Sequence, residues 1–286
     1  MASISDIVES SEAERLATGF VFTEGPLWHP DDYLLFVDIR RSLIFRLTPG
    51  GEPEVFREDS GGSNGLTFDL QGQLIMCEGD NRRITRMEPD GAITPVAERW
   101  EGKRLNRPND VVGHSDGSIY FTNPGGRLDA SEREIDFSGV HRIAPDGAVT
   151  AVITDFEYPN GLAFSPDESV LYINDSRRGH IRAWDMLPPG ALALGTGRIF
   201  ADLRGDRDGV PDGMKVDVEG NVYCGGSGGV WVMDPTGKVL GIIVHGKSAT
   251  TNIAWGDVDW KTLYITSRNE LMRIRLNISG MPVPAA

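Results

Sequence analysis

The sequence predicts an all-β fold, a six-bladed β-propeller with four antiparallel strands per blade. Three observations predict it: a hairpin unit recurs six times, further short alternating segments follow most copies, and no long stretch has helical periodicity.

The unit is clearest from Tyr158 to Ser176, YPNGLAFSPDESVLYINDS. Asn160-Gly161 leads into the alternating run Leu162-Ala163-Phe164, a turn follows from Ser165 to Glu168, and Val170 to Ile173 alternate again. The turn recurs at His29, Asp69, His114, Ser165, Asp217 and Asp257, at intervals of 40, 45, 51, 52 and 40 residues. Third strands are expected at 43–47, 83–87, 140–143, 180–184 and 230–233, and fourth strands such as 54–57 and 149–153. Four short strands per interval make a propeller blade.

The sixth copy ends with one strand, 271–276, and a short tail, so its outermost strand must come from elsewhere. Residues 14–20 can supply it, closing the ring and removing two sheet edges. Residues 1 to about 12 are polar and expected to fray, and 1–286 is expected to be one domain with a core from about 14 to 280. Insertions at 125–138, 187–196 and 205–210 are expected as loops, those near an active face shaping a pocket.

A formal charge of −14 argues against nucleic acid or an anionic membrane as partner, because both need clustered Lys and Arg. The start has no basic region followed by an apolar run, and no stretch approaches the ~20 apolar residues of a membrane span. A soluble, cytoplasmic protein is expected, with its oligomeric state left open. Cys77 and Cys224 fall at comparable places in copies two and five, far apart around a six-fold ring, and are expected as buried thiols. The sequon at Asn277 has no expected meaning without secretion.

The position five residues ahead of each turn reads Glu24, Asn64, Asn109, Asn160, Asp212 and Asn252. All six side chains carry an oxygen donor, and equivalent positions at the starts of innermost strands sit at one depth around a propeller's channel. Asn-Gly and Asp-Gly are also turn formers, which suffices for Asn64, while Asn252 has an unclear register. Glu24 is no turn former. Converging carboxylates and amides without clustered His or Cys suit one divalent cation, calcium first, with magnesium and manganese next and zinc or iron as further alternatives. Water and substrate would complete its coordination, as a catalytic metal requires.

Four motifs in order, TEGPLWHP from Thr23, RLNRPNDVV from Arg104, YPNGLAFSPD from Tyr158 and GVPDGMKVDVEGNVY from Gly209, resemble the SMP-30/gluconolactonase family, also called luciferin-regenerating-enzyme-like, and more distantly diisopropyl-fluorophosphatase. The resemblance covers about residues 14 to 280. It implies a six-bladed propeller with one catalytic divalent metal and hydrolysis of a lactone or related ester. It makes Glu24, Asn160 and Asp212 metal ligands, puts Asn109 on the metal or the substrate, and matches Arg107 to an arginine that in some members contacts substrate hydroxyls.

The expected mechanism has the metal polarise the lactone carbonyl, with Asp212 as general base for the attacking water and metal-borne hydroxide as the competing nucleophile. The expected substrate is a small lactone, most simply a sugar aldonolactone. Asp175 is a secondary candidate for a polar wall of the pocket, and His29 reads as structural. Ser63 and Ser227 sit in G-x-S-x-G matches that lead into no helix and are poor nucleophiles. Phosphotriester or other ester hydrolysis by the same site, and a non-catalytic calcium-binding or protein-binding propeller, stand as the alternatives.

Overall fold

The computed structural model describes residues 3–9, 12–126 and 128–283. Six four-stranded antiparallel sheets stand around one axis, each ordered from an inner strand outward. Blade one comprises Thr23–His29, Tyr33–Asp38, Leu43–Leu47 and Glu54–Arg57, and blade two Ser63–Phe68, Leu74–Glu78, Arg83–Met87 and Ile93–Ala97. Blade three runs from Val111–Gly113 through Ile119–Asn123 and Ser138–Ile143 to Val149–Phe156. In blade four, Pro159–Phe164, Val170–Asp175 and His180–Leu187 are completed by Arg198–Asp202, and Ala191–Leu192 adds a short extra pairing. Blade five is Met214–Val216, Val222–Gly226, Gly229–Met233 and Val239–Ile243. The hairpin register follows the alternation in the sequence, with Leu162 opposite Ile173 and Phe164 opposite Leu171.

Blade six takes Asn252–Gly256, Thr262–Ser267 and Glu270–Arg275 from the end of the chain and Glu14–Thr18 from its beginning. Glu14 pairs with Arg273 and Thr18 with Glu270, so the ring closes as expected. The segment ahead of that strand departs from expectation. Ile4–Ile7 form a short helix, Ile7 is 1% exposed, Val8 bridges to Leu276, and Asn277 donates through Nδ2 to the carbonyls of Asp6 and Val8. Its polar composition concealed two isoleucines at i and i+3, which seal the outer end of the seam between blades five and six.

The apolar core is divided among the blade-to-blade seams. Leu27, Leu35 and Val37 of blade one meet Leu66, Phe68 and Met76 of blade two, and equivalent clusters fill the other five seams. Cys77 and Cys224 lie fully buried and unpaired in two of them. Burial pushes the Cys224 thiol up to about 12, so neither packing nor charge favours a reactive thiolate. Among the described residues no helix is long and apolar enough to cross a membrane.

Two ends of the channel differ. The inner strands begin at a mouth carrying the oxygen donors and end at a cavity of about 420 Å³ walled by Phe68, Val112, Phe164 and Val216. The C-terminal strap crosses that second end, with Val218 N–H donating to Ser279, Gly280 N–H to Trp260 and Met281 N–H to Val216. Val283 then packs against the blade one–two seam.

Candidate active site

Residues at or just ahead of the starts of the inner strands face the channel, and in three blades a local irregularity turns them there. Ladder register shifts between Glu24 and Leu27, between Ser63 and Leu66, and between Pro159 and Leu162, so in blades one, two and four a bulge falls at the donor position. A bulge twists the strand and re-aims a side chain. The glycine after the donor has a second reason to be there. A β-carbon on Gly161 would collide with the Asp212 carbonyl oxygen, and one on Gly213 would collide with the Asn252 side chain. Adjacent blades therefore touch backbone to backbone at this mouth, which draws the donors together.

Glu24, Asn64, Asn109, Asn160 and Asp212 line one cavity of about 130 Å³, and Arg107, Tyr158 and Phe22 complete much of its wall. Asn252 lies outside that lining. Its Oδ1 accepts the N–H of Ile253 at 2.8 Å, and its side chain favours the ionised forms of Glu24 and Asp110.

Electrostatics mark this mouth out. Burial raises the Glu24 carboxyl to about 8, helped by the charge of Asp110 and opposed by the Asn252 side chain, the Gly25 N–H and the Lys215 charge. Asp212 keeps one side open to the cavity but lies deep in the protein. Burial lifts its carboxyl well above the usual range, with Glu24 and Asp110 adding repulsion and Asn160 and the Gly213 N–H resisting. Asp110 is raised by burial and held down first by Lys215. One of its oxygens accepts the Val111 N–H at 2.9 Å, and the other, Oδ2, has no partner among the described residues.

Three carboxylates in a low-dielectric channel, with Lys215 as the ammonium acting on two of them, are short of two positive charges when all are ionised. A divalent cation fits that deficit, and the all-oxygen character of the cavity suits a hard ion. Among the described residues no three acidic, histidine or cysteine side chains converge closely enough to hold an ion alone, so amide oxygens would have to contribute.

Asp110 was missed in the sequence, yet it left a signal. Where blades one, two, four and five carry Gly25, Gly65, Gly161 and Gly213 after the donor, blade three carries an aspartate. Ser176 was missed too: its Oγ lies 3.1 Å from Asn160 Nδ2 and 2.5 Å from the Pro211 carbonyl.

Asp175 is not part of the pocket wall. It is fully buried, and its oxygens accept the backbone N–H groups of Glu157, Tyr158, Arg177 and Arg178 at 2.8 to 3.2 Å. Asp38 does the same for Val21 and Phe22 in blade one, so this is a loop anchor of the repeat. His29 stacks on Tyr33 at 4.2 Å, away from the cavity. Ser63 donates to the Ser60 carbonyl and Ser227 bonds both backbone groups of Arg207, so both hydroxyls are structural.

A closed ring of six small sheets with acidic and amide side chains gathered at one mouth defines a propeller of the kind that builds small-molecule sites in its channel. The chain belongs to the SMP-30/gluconolactonase/LRE-like family, whose profile matches residues 22–269. It is 30% identical to a gluconolactonase of Zymomonas mobilis over 95% of this chain and 83% of that protein. A pentonolactonase of Haloferax volcanii is 28% identical over 85% of this chain and 80% of its own length. The solved structure of a Xanthomonas campestris gluconolactonase superposes with a TM-score of 0.86 at 31% identity, covering 96% of this chain and 92% of that one.

Proposed function

We propose that this protein is a metal-dependent lactonase that opens a small sugar lactone at the mouth formed by Glu24, Asn109, Asn160 and Asp212. One observation carries the reading: buried carboxylates and amides share a small cavity with too little positive charge, in a chain similar to proteins named gluconolactonase and pentonolactonase.

Glu24 and Asp212 would hold the cation through carboxylate oxygens, and Asn160 and Asn109 through amide carbonyls. Calcium is favoured because every donor is a hard oxygen, with magnesium or manganese the next choices. When bound, the cation supplies a Lewis acid for the lactone carbonyl.

The chain's residues do the rest. Asp212, which lines the cavity, takes the proton of the attacking water. Water oxygen bonds to the carbonyl carbon, the bond from that carbon to the ring oxygen breaks, and Asp212 hands the proton it took to the ring oxygen, which leaves as a hydroxyl. Arg107 offers N–H groups to the hydroxyls of the substrate. Walls made by Phe22, Ile39, Pro108 and Pro124 limit water on the reacting face.

The test is a panel of aldonolactones followed by acid release, with chelated protein and protein restored with calcium, magnesium or manganese. The reading requires turnover lost on chelation and regained with a metal. Turnover of a phosphotriester or an aryl ester alone would move the assignment to that substrate class. Metal binding with no turnover of any ester would make the protein a binding propeller.

A further inference from the structure

Arg107 is the one cationic side chain among the described residues that line the small cavity. Its Nη2 lies 2.6 Å from Oδ1 of Asp80, which stands outside the lining. The arginine side chain is 21% exposed and the aspartate 56%, so the pair spans the boundary between cavity and solvent. Two glycines make room for the pair. A β-carbon on Gly62 would collide with the Asp80 carboxylate, and one on Gly126 would meet Arg107 Cδ at 3.3 Å. Asp80 is itself fixed through its N–H, which donates to the Gly61 carbonyl at 2.9 Å. The arginine thus passes close against Gly126 and ends on a carboxylate.

Lactone hydrolysis changes the charge that this rim must handle. A neutral lactone and a water enter. A hydroxycarboxylate leaves, and the second proton of the water goes to solvent. An unpaired guanidinium at the rim would grip that carboxylate through two parallel hydrogen bonds.

We propose that Asp80 is a positioning residue that holds Arg107 at the rim and cancels its charge, so that the anionic product is released. The N–H groups of Arg107 that Asp80 does not engage stay available to the hydroxyls of the neutral substrate. This inference rests on the lactonase reading.

The test is product affinity. The calcium-loaded protein is titrated calorimetrically with the aldonate, and product inhibition is taken from progress curves, for the parent, Asp80→Asn, Asp80→Glu, Arg107→Met and the Asp80→Asn/Arg107→Met pair. Asp80→Asn is expected to tighten aldonate binding about two- to five-fold, the scale of an exposed charge pair. Asp80→Glu restores the parent value, and the effect vanishes in the Arg107→Met background. A purely structural role would loosen product and substrate together. Aldonate binding that is unchanged or weaker in Asp80→Asn, with Asp80→Glu folded and near the parent, overturns the proposal, as does aldonate binding to none of the variants. A parent that turns over no lactone while the tightening is still seen overturns the lactonase reading alone.

Discussion

Ser176 Oγ sits between Asn160 Nδ2, at 3.1 Å, and the carbonyl oxygen of Pro211, at 2.5 Å. A carbonyl only accepts, so the hydroxyl proton is committed to Pro211 and Ser176 must accept from the amide. Asn160 therefore presents nitrogen to Ser176 and keeps its oxygen for another partner. The same serine ties blade four to the segment that delivers Asp212.

Ser176→Ala should release that orientation. The substitution is expected to cost about 1 kcal/mol of stability and to weaken calcium binding about tenfold, read by calorimetric titration of the chelated protein. Unchanged calcium affinity would argue that Asn160 is not a ligand.

Chelated protein should lose stability, relative to Glu24→Gln, as pH rises from about 4.5 to about 8. Glu24 titrates near its ordinary 4.5 in the unfolded chain and near 8 in the folded protein without metal. Between those values the folded state keeps a proton that the unfolded state has lost, so raising the pH favours unfolding. Glutamine carries no such proton. Bound calcium should erase the difference by favouring the ionised form. Melting temperatures with chelator and with calcium across this range decide it, and parallel pH profiles for the two chelated proteins would refute the assignment.

His141 should set part of the acid limit. It is fully buried between the rings of Phe121 at 5.3 Å and Phe137 at 5.8 Å, and neither ring nitrogen has a hydrogen-bond partner among the described residues. Burial lowers its pKa from 6.5 to about 4. Its neutral form stabilises the fold fully above 6.5, and that contribution is lost as pH falls through 4, a loss on the order of 3 kcal/mol. His141→Phe is expected to flatten urea-derived stability between pH 6.5 and 4, whereas an unaltered acid limb would place the sensitivity elsewhere.

Gly161→Ala should disturb fold and site together, because the added methyl meets the Asp212 carbonyl and the Met214 N–H. A cost of about 1–3 kcal/mol is expected, with weaker calcium binding. Gly195→Ala is the control: like Gly161 it is not among the glycines with positive φ, and nothing lies within 4 Å of the added carbon. Equal effects on calcium affinity would show that the close approach of blades four and five does not shape the site.

The propeller was legible because each blade writes the same hairpin with period-two alternation, and because a missing outer strand at one end of the chain matched a spare one at the other. Counting back five residues from the turns found Glu24, Asn64, Asn109, Asn160 and Asp212, which line one cavity, and Asn252, which lies outside that lining. Other residues were hidden for physical reasons. Asp110 matters because it replaces a glycine at a point of backbone contact, which local sequence does not display. Asp175 looked like a pocket residue because polar turn aspartates at the functional mouth and at loop anchors are written alike; only its four backbone donors separate them. Ile4 and Ile7 are too few to form a pattern, and their role depends on a seam built by residues more than two hundred positions away. Lys215 follows Asp212 closely, but its charge acts on Glu24 and Asp110 from two other blades.

The central claim is that Asp212 both helps hold the cation and takes the proton from water. The most direct measurement is initial-rate hydrolysis of an aldonolactone, corrected for the spontaneous reaction, by parent and Asp212→Asn protein at saturating calcium, with melting curves on the same samples. The account predicts a folded variant whose kcat falls by about 10²–10⁴. A folded, calcium-loaded Asp212→Asn protein that hydrolyses the lactone at the parental rate would contradict it.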